Sequence, residues 1–191
     1  TCSLFADERE VLAVIWIADT LRPSSRDAIA ELQARGLEVI MLTGDGPGAA
    51  RAVGEAVGVD RVVDSVLPEG KASFVEELQR QGRRVAMVGD GINDAAALAR
   101  ADLSIAMGSG SDLAMETAMV TIRTSELGSV VKLFDLAHRT LRTIHQNLFW
   151  AFIYNLIAIP VAAGLLYPFT GYLLNPMIAG ALMMLSSLSV V

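Results

Sequence analysis

Residues 146–191 contain no aspartate, glutamate, lysine, arginine or histidine, so nearly all of the formal charge of −6 belongs to the first three quarters of the 191-residue chain. A stretch of that length without ionisable groups suits a membrane better than a water-facing surface, and a soluble unit followed by membrane is expected. Cysteine is almost missing as well: Cys2 stands alone, which excludes a disulfide within the chain and allows a reducing, cytosolic setting. There is no basic stripe, and 21 acidic against 15 basic residues exclude nucleic acid as a partner. The chain opens at Thr1 with no basic-then-apolar leader, so a segment of something larger is expected. Internal repeats and low-complexity tracts are absent from the sequence.

What is abundant is apolar: 53% of residues are hydrophobic. Two apolar stretches, residues 148–167 and 176–191, are separated by Pro168, Thr170, Gly171 and Asn175. The first is long enough to cross a bilayer. The second, at 1.5 Å per residue, reaches roughly 24 Å against a hydrocarbon core of about 30 Å and looks clipped. Before position 124, short β-branched runs alternate with helical patterns, which predicts a parallel sheet covered by helices. Strands are predicted at 11–17, 38–42, 61–63, 85–88, 103–106 and 120–122, and helices at 24–35, 47–57, 69–81 and 92–99. Sites in such a fold lie at the carboxyl ends of strands. From 125 to 145 apolar residues recur at helical spacing with Lys132, Arg139, Arg142 and His145 between them, predicting one long helix that runs into the first span. Basic residues before that span place the soluble unit in the cytoplasm. The expected organisation is a soluble α/β unit over 1–124, a connecting helix over 125–146 and two transmembrane helices over 147–191, the second truncated.

Three constellations carry chemistry. Gly89-Asp90-Gly91-Ile92-Asn93-Asp94 sets two carboxylates four positions apart where an apolar strand runs into a helix. Carboxylates suit a hard cation such as Mg²⁺, which shares its remaining positions with water and phosphate oxygens, and the glycines let backbone pass close to a ligand. A capping or turn role for either aspartate is the plainer alternative. Thr43-Gly44-Asp45 ends another strand, where a hydroxyl and adjacent N–H groups can bind phosphate; an ordinary turn with Asp45 as helix cap is the alternative. Lys71, just after Leu67-Pro68-Glu69-Gly70, can neutralise charge on a phosphoryl group or stand solvated on a helix surface.

The order of these elements resembles the haloacid-dehalogenase fold. More closely, Thr43-Gly44-Asp45, Leu67-Pro68-Glu69-Gly70-Lys71, Gly89 to Asp94 with Ala95-Ala96-Ala97-Leu98, and Ala101-Asp102 through Ala106-Met107-Gly108-Ser109-Gly110 are similar to the phosphorylation domain of P-type ATPases. The resemblance implies Mg²⁺ at Asp90 and Asp94, a loop ordered by Asn93, an acyl-phosphate contacted by Thr43, Gly44 and Lys71, and polar support from Asp45 and Asp19. Gly46-Pro47-Gly48 and Met119 depart from the family's more polar residues at those places. The family's Asp-Lys-Thr-Gly-Thr nucleophile segment does not occur, and Leu21-Arg22-Pro23 after Asp19-Thr20 does not supply it. The Rossmann-like phosphorylation domain is therefore expected to be incomplete, lacking its nucleophile strand.

In the uncharged tail, Pro160 cannot donate to the Leu156 carbonyl, which leaves a polar notch beside Asn155; a kink with Asn155 bonded to a neighbouring helix is the alternative. Met183 and Ser187 are four apart and share a helix face; a methionine filling an apolar span and a small serine packing helices closely is the alternative. Tyr154-Asn155 with Pro160, and Met183 with Ser187, resemble the last two core helices of copper-exporting heavy-metal ATPases. That implies Cu(I) or Ag(I) bound by Tyr154, Asn155, Met183 and Ser187, since soft thioethers select such ions while zinc would favour a carboxylate or imidazole. The expected function is thus a segment of an ATP-driven Cu(I) export pump of the inner membrane. ATP, the transported ion, lipid, the rest of the pump and a copper chaperone are its implied partners. A membrane-tethered phosphatase of the dehalogenase type, or a non-catalytic fragment, is the rival.

Overall fold

The computed structural model describes every residue except 1, 8–9, 17–20, 91, 109–115, 166, 172–176, 178–179, 181–183 and 185–191. It divides into two units, Thr1–Lys132 and Leu133–Val191.

In the first unit, β1 (Cys2–Ala6) and β2 (Val11–Trp16) form an antiparallel hairpin. Asp7 closes the turn: its N–H donates to the Glu10 carbonyl at 3.0 Å, and its carboxylate accepts from the Glu10 N–H at 2.8 Å. So short a connection cannot form a crossover, which corrects the expectation of one all-parallel sheet. Helix α1 (Pro23–Ala34) leads to β3 (Ile40–Leu42), α2 (Pro47–Val57), β4 (Arg61–Val63), α3 (Pro68–Arg80) and β5 (Ala86–Gly89). A 3₁₀ turn, Ile92–Asp94, runs into α4 (Ala95–Arg100), followed by β6 (Leu103–Met107) and β7 (Val120–Ile122). Among the described residues β3 pairs with β4, and β5-β6-β7 form a second ladder, all parallel.

Helices α1, α2 and α3 lack a side-chain cap and each opens on proline, whose missing N–H removes one donor that would otherwise go unsatisfied there. Helix α2 stops at Gly58, which takes the left-handed conformation (φ 80°) and returns its N–H to the Gly54 carbonyl at 2.8 Å. The core beneath the strand mouths is made by Val75 of α3, Met87 of β5, and Ala97, Leu98 and Ala101 of and just after α4, with Leu42 and Val85 against it. Leu42 comes from the β3 ladder and Val85 leads into β5, so both parallel ladders rest on the same apolar cluster.

Two aspartates brace the strand entries. Asp60 accepts from the Val39 N–H at 2.7 Å, and Asp102 from the Val85 N–H at 2.9 Å and Gln79 Nε2 at 3.1 Å. Farther on, Arg22 donates to the Ser125 carbonyl at 2.9 Å and Ser24 bonds Glu126, tying the start of α1 to the loop after β7. The following helix, α5, spans Gly128–Ala162 rather than starting at 125.

Over the described residues no helix is long and apolar enough to cross a membrane. The reason is local. Helix α5 ends at Ala162, short of the expected 167, and Gly164 follows with φ 94°. Its charge-free part, 146–162, reaches only about 25 Å at 1.5 Å per residue. A short α6, Tyr167–Thr170, follows, and the second expected span lies mostly outside the described residues.

Both bracing carboxyls are held below the ordinary carboxylate pKa, first by the Val39 or Val85 N–H and then by Gln33 or Gln79. A lowered folded pKa contributes stability that is present above the unfolded value and lost as pH falls through the folded one. Urea midpoints of an Asp60→Asn/Asp102→Asn double variant are therefore expected to fall less steeply below about pH 4 than those of the parent chain.

Candidate active site

Lys71 sits in the first turn of α3, where its N–H donates to the Leu67 carbonyl at 3.2 Å. Asp94 closes the 3₁₀ turn after β5, in the αR region at the N-cap position of α4, but makes no capping bond. Its carboxylate is turned instead to α3: Lys71 Nζ donates to Asp94 Oδ1 at 2.7 Å, with only 15% and 12% of the two side chains exposed. The lysine is thus not a solvated surface group, and the aspartate ends its turn without a side-chain capping bond. Gly89 explains how Asp94 fits, because a Cβ there would lie 2.7 Å from Asp94 Oδ2. The missing side chain of Gly89 thus makes room for a carboxylate of the same chain. Asp90 and Asn93 are exposed beside it, and Gly91 lies outside the described residues.

At the mouth of β3 the Thr43 hydroxyl donates to Asp45 Oδ2 at 3.0 Å and accepts from the Asp45 N–H at 3.1 Å. Asp45 thus stabilises the turn through Thr43, and α2 is capped by Gly46 without a side-chain bond. The Thr43 N–H is taken by the Val63 carbonyl at 3.0 Å, so the backbone here offers a phosphate fewer donors than expected. Val66 links this turn to α3: its N–H donates to the Thr43 carbonyl at 3.0 Å, and its side chain lies against Gly70.

Among the described residues no three of His, Cys, Asp and Glu gather as a metal cluster. A cation at Asp90 and Asp94 would complete its shell with water or phosphate oxygens, the donor set Mg²⁺ prefers. The cradle that Gly89 leaves around Asp94 fits that use.

In the tail, Tyr154 packs near Trp150, ring centroids 6.2 Å apart, and Trp150 meets Phe149 edge to face at 5.6 Å. The Asn155 amide donates to the Ala151 carbonyl at 2.9 Å, one turn back along its own helix. That bond goes to Ala151 rather than to the Leu156 carbonyl freed by Pro160, and the second expected helix lies mostly outside the described residues. Met183, Ser187 and Asp19 lie outside the described residues.

Residues 3–102 match the family profile of haloacid dehalogenase-like hydrolases. The chain belongs to that family. Within it, this haloacid dehalogenase-like chain is 52% identical over 93% of its length to a copper-exporting P-type ATPase of Vibrio cholerae, of which it spans 20%. It is 52% identical over its whole length to a probable copper-importing P-type ATPase A of Enterococcus hirae, of which it spans 25%. In structure it is similar to a zinc-transporting PIB-type ATPase in its E2·Pi state, with TM-score 0.80 and 36% identity over 98% of this chain and 30% of the other. The chain thus spans about a quarter of the length of the curated relatives it matches.

For this haloacid dehalogenase-like unit, sequence reasoning missed the bracing pair Asp60 and Asp102 and the union of Lys71 with Asp94. The first had a signal, since each aspartate directly precedes a strand; the second, between residues 23 positions apart, had none. Gly89→Ala would drive a methyl into the Asp94 carboxylate and is expected to cost about 2 kcal/mol in a urea denaturation series.

Proposed function

We propose that the chain is most of the phosphorylation domain, without its nucleophile strand, and the last two core membrane helices of a copper-exporting P-type ATPase. The observation that carries this reading is the lysine-carboxylate pair of Lys71 and Asp94, set next to Asp90 at the mouth of a parallel strand. A high identity to copper ATPases over nearly the whole chain supports a pump over a free-standing phosphatase.

In the intact pump, ATP would phosphorylate an aspartate of an upstream Asp-Lys-Thr-Gly-Thr segment. The edges of β3 and β5 that lack a partner among the described residues, above a shared core, suit a strand carrying that segment. Asp90 and Asp94 would hold Mg²⁺, and Asn93 would order their loop. When bound, the ion would offset charge on the phosphoryl oxygens. Lys71 would add a positive charge beside them, while Thr43 and Gly44 would fix the phosphoryl group's orientation in the turn that Asp45 stabilises. Positioning and electrostatics of this kind supply most of phosphoryl-transfer catalysis.

The tail would cross the inner membrane twice, with the phosphorylation domain in the cytoplasm. Tyr154, Asn155, Met183 and Ser187 would contribute to the path of Cu(I) or Ag(I). The relatives include a copper importer and the structural neighbour a zinc pump. Copper is favoured over zinc here because residues 146–191 offer thioethers and hydroxyls but no carboxylate or imidazole. Lipid, the rest of the pump and a copper chaperone would be its partners.

The full-length protein is expected to accumulate Cu(I) in inside-out vesicles with ATP, and Asp90→Ala to abolish the metal-dependent ATPase activity. Unchanged turnover in that variant, or accumulation only in right-side-out vesicles, would contradict the site or the direction respectively.

A further inference from the structure

One carboxylate oxygen of Asp94 is already engaged by a cation of the chain itself. Oδ1 accepts from Lys71 Nζ at 2.7 Å, and Oδ2 lies beside the space that Gly89 leaves by having no side chain. A divalent ion at Oδ1 would have to share or take the place that the ammonium holds, and one at Oδ2 would sit on the same carboxylate as that ammonium. From this arrangement we infer that Lys71 is a resident counter-ion, which keeps Mg²⁺ weakly bound until a phosphoryl group draws the ammonium away from Asp94. The inference rests on the reading of Asp90 and Asp94 as the Mg²⁺ ligands.

The charge balance gives the direction. Asp90, Asp94 and Lys71 sum to −1. Adding Mg²⁺ makes the cluster +1 and sets two cations on one buried carboxylate, a repulsion little screened where the side chains are only 12–15% exposed. Adding a phosphoryl dianion as well restores −1 and gives the ammonium a second partner. Lys71 begins at the first turn of α3 and ends on a flexible four-carbon stem, so its head can move while its backbone stays fixed. Phosphate and Mg²⁺ should therefore assist each other's binding, and by linkage the assistance is equal in both directions. Lys71 is a positioning residue in this respect, beyond its direct contact with the phosphoryl group.

The test is Mg²⁺ titration calorimetry on the full chain in nanodiscs, with and without orthovanadate as the phosphoryl probe. Lys71→Met is expected to bind Mg²⁺ about tenfold more tightly than the parent chain when vanadate is absent. It should also lose the tightening that vanadate causes in the parent. Lys71→Arg, which keeps the charge, should retain that tightening. If Lys71→Met does not fold, Lys71→Gln, which keeps a hydrogen bond to Asp94 without the charge, is read in its place. Equal or weaker Mg²⁺ binding in the uncharged variants, with binding lost in Asp94→Asn, would overturn the counter-ion role and leave the metal site standing. Mg²⁺ binding unaffected by Asp90→Asn and Asp94→Asn, or absent from every variant, would overturn the metal site itself.

Discussion

The ion pair between Lys71 and Asp94 is the contact on which the site's geometry depends. It joins the first turn of α3 to the turn that opens α4, and does so with both groups largely out of water. Removing either partner from such a pair typically costs about 3–5 kcal/mol, because the remaining charge is left buried and alone. Below it, Val75 and Leu98 are each 1% exposed and Ala97 is fully buried, so the two helices have little freedom to slide. The apolar cluster fixes where the helices lie, and the ion pair fixes how their polar ends meet.

The same cluster coordinates the strands. Leu42 and Val85 reach it from the two parallel ladders, which places Thr43, just after β3, and Asp90, just after β5, at corresponding ends of their strands. The Thr43 turn is set before any ligand arrives, its hydroxyl shared with Asp45 in both directions. A phosphate there would have to win that hydroxyl from a carboxylate, a competition that favours a ligand already neutralised by cations nearby.

How much of this could be read in advance varied with the range of the interactions. Helix α2 and strands β4 and β7 lie where the sequence places them, because Pro47, Gly58 and the β-branched runs are local signals. The hairpin strand Cys2–Ala6 was missed: its five residues show no clear alternation, and the turn at Asp7 to Glu10 lacks the glycine or asparagine that usually marks one. The Thr43 and Asp45 exchange spans two positions and was legible as a turn, whereas the engagement of Asp94 by Lys71 depends on how α3 packs on α4. In the tail, composition announced an apolar segment. It could not announce that Asn155 would bond the backbone of its own helix, nor that α5 would stop at Ala162, an end governed by Gly164 and its neighbours.

Pro160 leaves the Leu156 carbonyl of α5 without its usual donor, and the Asn155 amide is occupied one turn earlier. The rod is consequently weakest along a single line, where one rung of its ladder is gone while those above and below persist. Bending should concentrate there instead of spreading over ten turns, giving the helix a built-in elbow whose stiffness depends on whatever hydroxyl, amide or water comes to satisfy that one oxygen.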